Sequence, residues 1–169
     1  MKTKQDIVEN WLPRYTGVPL KSFGHYILLT NFDNYVKKFA EWNNVEVNGM
    51  DKAMRSATAD GITIINFGMG SPNAATIMDC LSAIKPQACL FLGKCGGLKK
   101  KNELGDFILP IAAIRGEGTS NDYFPPEVPS LCKRPFLQRS EITIKTIGPV
   151  QFIPRTEEYG SGMKILKIT

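Results

Sequence analysis

Two glycine-rich segments of this chain have the residue types of anion-binding turns. Residues 68–70 read Gly-Met-Gly, and residues 93–97 read Gly-Lys-Cys-Gly-Gly. Glycine leaves backbone N–H groups open to a ligand, and a helix that starts after the first segment adds the positive end of its dipole. Lys94 brings a positive charge into the second segment. These segments predict a site for an anion such as phosphate.

A third segment, residues 115–125, is rich in hydroxyl, amide and charged groups and reads RGEGTSNDYFP. Such a composition is typical of a surface loop held by Asx-type turns. It is equally suited to contacting a polyol or a phosphate at the end of a strand. The sequence leaves both interpretations open.

Neither glycine segment matches an established phosphate-binding signature. Residues 93–98 lack the spacing before Gly-Lys-Ser/Thr that defines a P-loop, and neither segment reads Gly-x-Gly-x-x-Gly. One such turn alone is more simply explained as a tight chain connection. Two turns at one sheet edge favour a binding site.

The two glycine segments flank a predicted βαβ unit. Residues 62–67 form a short apolar, β-branched run typical of a strand covered on both faces. Ser71 is expected to cap the next helix, with Pro72 at its first position and an apolar stripe that stops at Pro86. A return strand is predicted over residues 88–92. A right-handed crossover places both glycine segments at the same sheet edge, where α/β proteins bind ligands.

The rest of the chain supplies further elements to this unit. The expected elements are a helix over residues 4–12 ended by Pro13, a strand within residues 23–30, a helix capped by Asn31 or Asp33, a hairpin of residues 52–59 and 61–67 that turns at Asp60-Gly61, and a strand over residues 105–115. His25, the single histidine, precedes the first strand and is interpreted as a strand-edge polar residue rather than a catalytic base.

Composition is that of an ordinary globular domain, with 169 residues, 43% hydrophobic and 22% charged. No apolar run reaches the roughly 20 residues of a membrane span. The net charge of +5 is concentrated near the end, since residues 131–169 hold seven of the 21 lysines and arginines but three of the 16 acidic residues. Nucleic acid and membrane are therefore not expected partners. The four cysteines lack metal-ligand spacing, which predicts reduced thiols in a cytoplasmic protein without a metal or cofactor.

The strings GMGSPNAA, LFLGKCGGLK and IRGEGTSNDYFPPEVP together resemble the nucleoside phosphorylase superfamily, and within it the AMP nucleosidase branch. The order and spacing of these motifs agree up to about residue 130. The resemblance implies an α/β fold with a central mixed sheet flanked by helices. It also implies a cytoplasmic homo-oligomer of purine salvage that hydrolyses AMP to adenine and ribose 5-phosphate.

The phosphorylases of this superfamily place an arginine for free phosphate two residues before the glycine that corresponds to Gly93, where this chain has Phe91. Losing a bidentate phosphate partner suits an enzyme in which water replaces phosphate and the bound anion is the 5′-phosphate of the substrate. Lys94 and Thr119 are the residues expected to contact this 5′-phosphate. The expected substrate-binding residues are Gly68, Met69, Gly70, Lys94, Cys95, Gly96, Glu117, Gly118, Thr119 and Ser120.

The carboxylates that hold the ribose and protonate the base in this family lie beyond the matching region, so no catalytic residue is assigned here. We expect residues 1–130 to be the N-terminal part of a nucleoside phosphorylase-like domain and residues 131–169 to be a non-family tail. One set of codons for residues 147–160 reads in another frame as YWTGTVYTTNRRVW, which resembles the family's continuation. The tail is therefore interpreted as a frameshift product, and the chain's activity as impaired.

Two other functions remain open from the sequence. One is a purine or uridine nucleoside phosphorylase, which Phe91 disfavours. The other belongs to a different class, a non-catalytic module that binds nucleotides or mediates oligomerisation and keeps the glycine turns without the catalytic acid.

Overall fold

The computed structural model describes residues 2–95 and 112–131, together with the backbone of residues 150–151 and 167–168. The chain divides into two compact units, Met1–Lys94 and Cys95–Thr169. Each unit is described by itself below.

The first unit is built on a four-stranded mixed sheet. Its strands are β1 (Tyr26–Thr30), β2 (Arg55–Ala59), β3 (Ile62–Asn66) and β4 (Ala88–Phe91), in the spatial order β2-β3-β1-β4. β1 runs parallel to both β3 and β4, whereas β2 is antiparallel to β3. The expected mixed sheet of the family fold is thus confirmed.

The strands of the predicted βαβ unit, β3 and β4, are not neighbours, because β1 lies between them. Thr30 at the end of β1 pairs with Asn66, and Leu29 pairs with Phe91. The three parallel strands therefore end together. The residues that follow each of them share one edge of the sheet, called the carboxyl edge below.

The hairpin predicted before the central strand is confirmed. β2 and β3 pair antiparallel through Asp60 and Gly61, which have φ angles of 49° and 76°. Positive φ at both central residues gives the turn a twist that matches the flanking strands, and Asp-Gly is a preferred pair there.

Helix α1 (Lys4–Thr16) continues past its expected end at Pro13. The Thr3 side chain and Asp6 form a reciprocal capping box at its start. At its end the N–H of Gly17, in the left-handed conformation, donates to the Pro13 carbonyl at 2.8 Å. The prediction was wrong because proline removes its own N–H but leaves its carbonyl free to close the last turn.

Helices α2 (Asp33–Asn43) and α3 (Ser71–Leu81) both begin without a side-chain cap. The residues in the cap positions are Phe32 and Gly70. The predicted caps Asn31, Asp33 and Ser71 are therefore wrong. Ser71 is the first helical residue, and Pro72 stands at the second, where its missing N–H costs the helix nothing.

Helices cover the sheet on both faces, which explains its apolar strands. On one face the buried cluster includes Ile27, Leu29, Ile65 and Phe67 of the strands with Leu12 of α1 and Ile77, Cys80 and Leu81 of α3. On the other face Ile64 and Ala57 pack against Val36 and Ala40 of α2. The core thus holds the strand ends at the carboxyl edge in fixed register.

In the second unit, β5 (Ala112–Ala113) pairs antiparallel with β6 (Ser130–Leu131), and β7 (Val150–Gln151) pairs with β8 (Lys167–Ile168). A 3-10 helix, Thr119–Asp122, lies between β5 and β6. The sequence predicts a strand over residues 105–115. Residues 105–111 lie outside the described residues, and of the remainder only Ala112–Ala113 form a strand, β5. Within the described ranges, no helix is long and apolar enough to span a membrane.

Candidate functional site

Three chain segments leave the sheet at the carboxyl edge of the first unit. Residues 31–33 follow β1 and open α2, residues 67–70 follow β3 and open α3, and residues 92–94 follow β4. Because the three strands are parallel and end together, their following turns lie side by side. This is the location that the sequence predicted for the site.

The first glycine turn has a backbone that only glycine adopts at low cost. Gly68 and Gly70 have φ angles of 84° and 93°. A Cβ added at Gly70 would meet only Pro72 Cδ at 3.6 Å, so conformation rather than space explains this glycine. Met69 between them is 78% exposed. The turn is therefore open to solvent and presents its backbone.

Part of the backbone expected to be free in this turn is already used. The Gly68 N–H donates to Asn66 Oδ1 at 2.9 Å, and Asn73 Nδ2 donates to the Met69 carbonyl at 3.1 Å. Within the described part of the chain, the N–H groups of Met69 and Gly70 donate to no other group. Of the N–H groups in this turn, that of Gly68 is therefore used within the protein.

Asn66 belongs to a polar chain at the carboxyl edge that the sequence analysis missed. Its Nδ2 donates to Asp33 Oδ1 at 2.6 Å, and the other carboxylate oxygen of Asp33 accepts from Arg55 Nη1. The Arg55 and Asp33 side chains are 33% and 39% exposed. The sequence contains one signal that could have indicated this polar chain, namely the amide side chain of Asn66 at the last position of a largely apolar strand.

Lys94 lies against aromatic rings that follow β1. Its Nζ is 4.5 Å from the ring centroid of Phe32 and 5.6 Å from that of Tyr35. The two rings are 5.3 Å apart. A cation over an aromatic face is attracted by the ring quadrupole. The structure thus brings the lysine of the second glycine segment onto the element that lies between the two turns.

Phe91, at the end of β4, explains the glycine that follows it. Its ring centroid is 5.8 Å from that of Phe67, and a Cβ added at Gly93 would lie 2.8 Å from Phe91 Cε1. A side chain at position 93 would therefore displace the Phe91 ring from its observed position. Phe91 itself remains 49% exposed.

The remaining predicted residue near this segment, Cys95, is exposed and begins the second unit, whereas Gly96 lies outside the described residues. Glu117, Gly118, Thr119 and Ser120 also belong to the second unit. The structure therefore brings Gly68, Met69, Gly70 and Lys94 to one edge of the first unit, and places the other expected binding residues in the second.

The polar loop of the second unit is organised by Arg115, which the sequence analysis did not select. Its guanidinium donates to the carbonyls of Ser120, Phe124 and Pro125, at 3.2, 2.9 and 2.6 Å. The Glu117 carboxylate accepts from the Ser120 N–H at 3.2 Å and from its hydroxyl. Gly118, with a φ of 95°, permits the turn between them. This is the turn-rich loop that the composition allowed, held by its own side chains.

Metal-binding clusters and the position of His25 are the remaining features to compare with the described ranges. No group of three histidine, cysteine, aspartate or glutamate side chains there is arranged to hold a metal ion. His25 precedes β1 at the opposite end of the strand from the carboxyl edge, and its carbonyl accepts the Gln87 N–H at 2.8 Å. It is thus remote in the sheet from the glycine turn, as expected of a strand-edge residue.

The chain is similar to enzymes of nucleoside and nucleotide chemistry. The phosphorylase superfamily profile matches residues 25–154. AMP nucleosidase of Escherichia coli (strain K12) is 29% identical over 155 residues, covering 70% of this chain and 32% of the relative. Uridine phosphorylase of Thermococcus kodakarensis is 29% identical over 111 residues, covering 63% and 40%.

Solved structures show the same relationship. The crystal structure of AMP nucleosidase from Bacteroides thetaiotaomicron has a TM-score of 0.75 and 63% identity, covering 81% of this chain and 58% of that chain. Uridine phosphorylase from Vibrio fischeri, at 23% identity and a TM-score of 0.62, shares the fold. The chain spans about a third of the length of the E. coli relative and somewhat over half of the B. thetaiotaomicron structure.

Proposed function

The chain belongs to the phosphorylase superfamily, and we propose that its reaction is that of an AMP nucleosidase, the hydrolysis of AMP to adenine and ribose 5-phosphate. The relatives named AMP nucleosidase support this choice, since one of them is 63% identical over 81% of this chain. The observation that carries the proposal is the aromatic ring of Phe91 at the carboxyl edge.

Phe91 separates hydrolysis from phosphorolysis. A phosphorylase must bind free phosphate beside the sugar, and a guanidinium at this position supplies charge and two hydrogen bonds. Here the ring packs 5.8 Å from that of Phe67 and fills the space over Gly93. An apolar ring offers no charge or donor to a free anion, so water is the nucleophile in this proposal.

The first glycine turn and Lys94 bind the 5′-phosphate of AMP in this proposal. The free N–H groups of Met69 and Gly70 donate to phosphate oxygens, and the Lys94 ammonium supplies charge from the turn after β4. The residues of the second unit that the resemblance names, Cys95, Gly96, Glu117, Gly118, Thr119 and Ser120, stay predicted substrate-binding residues. The catalytic carboxylates are assigned to none of the described residues.

We also propose a cytoplasmic homo-oligomer that acts in purine salvage. Cys80, Cys89 and Cys95 are free thiols in the described part of the chain, which suits a reducing compartment. Trp42 and Met50 are large apolar side chains that are 79% and 60% exposed, as residues of a subunit interface are in an isolated protomer.

Adenine release from AMP tests the proposal directly. The purified chain is incubated with AMP with and without inorganic phosphate, and adenine is quantified by chromatography. Release that needs no phosphate supports hydrolysis. Phosphate-dependent release contradicts it and favours the phosphorylase. Saturable AMP binding without release is the result expected both of the non-catalytic module and of an AMP nucleosidase chain whose activity is impaired, and it excludes an active hydrolase or phosphorylase.

A matched pair of variants sharpens this experiment. Phe91→Arg restores a guanidinium at the carboxyl edge and should make the protein respond to phosphate, either in rate or in phosphate affinity. Phe91→Leu keeps the position apolar and should not. An equal response of the two variants would mean that the side chain at position 91 does not select the nucleophile.

A further inference from the structure

We propose that Asp33, Arg55 and Asn66 form a positioning relay that sets the conformation of the first glycine turn for its anionic ligand. The relay lies entirely in the first unit and joins the start of α2, the start of β2 and the end of β3. Its effect on the ligand rests on the proposed function, whereas its effect on the turn does not.

The relay is a continuous chain of charge-assisted and neutral hydrogen bonds. Arg55 donates to one oxygen of the Asp33 carboxylate, and Asn66 Nδ2 donates to the other at 2.6 Å. Asn66 Oδ1 then accepts the Gly68 N–H at 2.9 Å. The pairing of Arg55 with Asn66 across β2 and β3 places both side chains on the same sheet face.

The Asp33 carboxylate decides which way the Asn66 amide faces. An amide group has a donor end and an acceptor end, whereas an ionised carboxylate only accepts. Asn66 must therefore turn its NH₂ to Asp33, which leaves its oxygen for the Gly68 N–H. If Asp33 were an amide, either orientation of Asn66 would find a partner, and the acceptor for Gly68 would no longer be specified.

The fixed Gly68 N–H constrains the two N–H groups that follow it. Gly68 and Gly70 both have positive φ, in a region where glycine has wide freedom. A second contact, from Asn73 Nδ2 to the Met69 carbonyl at 3.1 Å, holds the same turn from α3. With both contacts in place, the N–H groups of Met69 and Gly70 are preorganised before the ligand arrives, which lowers the cost of binding.

Arg55 has a second consequence, because it balances a negative charge at the edge that receives an anion. Without Arg55, the Asp33 carboxylate would lack its cation and would repel a phosphate group. Arg55→Met should therefore weaken AMP more than adenosine, and the double variant Arg55→Met with Asp33→Asn should recover part of that loss. A purely structural role of the pair predicts equal changes in AMP and adenosine affinity in both the single and the double variant.

The conformation of the first glycine turn can be followed by NMR through the signal of the Gly68 amide. Selective ¹⁵N-glycine labelling of the full chain gives a spectrum of 15 glycines. Asn66→Ala and Asp33→Asn should shift the Gly68 amide proton and speed its exchange with solvent, while the Gly61 amide in the hairpin stays unchanged. Asp51→Asn is the matched control, since Asp51 pairs with Lys52 at 2.8 Å outside the relay. Thermal unfolding confirms that each variant is folded.

The effect on ligand affinity is measured by titrating the same proteins with AMP and with adenosine. Asn66→Ala should weaken AMP by about threefold to tenfold, the loss expected for one uncharged hydrogen bond. An unchanged Gly68 amide in both folded variants overturns the relay, as does an AMP affinity that Asn66→Ala leaves unaltered. If the unmodified chain binds no AMP, the proposed function fails, and the Gly68 amide alone then decides whether the relay exists.

Discussion

Lys94 shows how one side chain can be held in place and still keep its charge available. Its ammonium lies over Phe32 and Tyr35, and no acidic side chain in the described residues pairs with it. Cation–π contacts contribute about 0.5–2 kcal/mol. They restrict the lysine without neutralising it, which is the arrangement that an anion site requires.

Replacing Lys94 with Met should weaken AMP more than adenosine, because only AMP carries the 5′-phosphate that we propose the ammonium contacts. Lys38→Met is the matched control, since Lys38 also lies near an aromatic ring, 6.0 Å from the centroid of Trp42, and is none of the predicted substrate-binding residues. Both variants are titrated with both ligands. Equal losses of AMP and adenosine affinity in Lys94→Met would indicate a structural role instead.

Asp33 illustrates why residue roles are harder to read than residue types. From the sequence it is a candidate helix cap, yet it is the first residue of α2 and contacts Arg55 and Asn66. Its partners belong to two strands: Arg55 of β2 is 22 residues away along the chain, and Asn66 of β3 is 33 residues away. Local patterns contain no information about such contacts.

Among the elements, the turn after β3 lies at the carboxyl edge, whereas the hairpin turn before β3 lies at the opposite end of the strand. Gly61 and Gly70 both have positive φ, and both have space for a small side chain. Valine at either position should destabilise the protein by about 1–3 kcal/mol through backbone strain. Only Gly70→Val should also weaken AMP, since only that turn lies at the carboxyl edge.

Chemical denaturation and AMP titration of the two variants give the comparison. A Gly70→Val protein that binds AMP as well as Gly61→Val does would remove the first glycine turn from the site. Because the free energy of unfolding is measured for both variants, a loss of AMP affinity can be compared with the loss of stability in the same protein.

Element types followed from the sequence, whereas their neighbours and caps did not. The apolar run of residues 62–67 and the Asp60-Gly61 pair were sufficient to predict β3 and its hairpin. The insertion of β1 between β3 and β4 depends on long-range pairing, which no local period encodes. The caps were missed because Phe32 and Gly70 fill the cap positions through backbone conformation, without a side-chain hydrogen bond.

For the whole molecule, two thiols, that of buried Cys80 and that of partly buried Cys89, predict how stability depends on pH. Burial raises the pKa of the Cys89 thiol from its ordinary value of 9.0 to about 11, and it also raises the pKa of Cys80. The unfolded chain therefore releases these protons at lower pH than the folded protein does. This contribution to stability is fully present below pH 9.0 and is lost as pH rises toward about 11.

Urea unfolding between pH 8 and pH 11 measures this effect. Cys89→Ala should show a smaller decrease in the free energy of unfolding across the interval than the unmodified chain. Cys95→Ala, which alters an exposed thiol, should keep the full decrease. Equal slopes for all three proteins would show that Cys89 does not titrate differently in the folded state.

The order of strands in the sheet also determines when the protein acquires its site as it folds. β2 and β3 are joined by a two-residue turn and can pair quickly, but Tyr26 of β1 must find both Ile62 and Ala88, which are separated from it along the chain by other helices and strands. The carboxyl edge exists only after those distant pairings are complete. A chain that has formed only its hairpin therefore lacks the edge at which we propose that nucleotide binds.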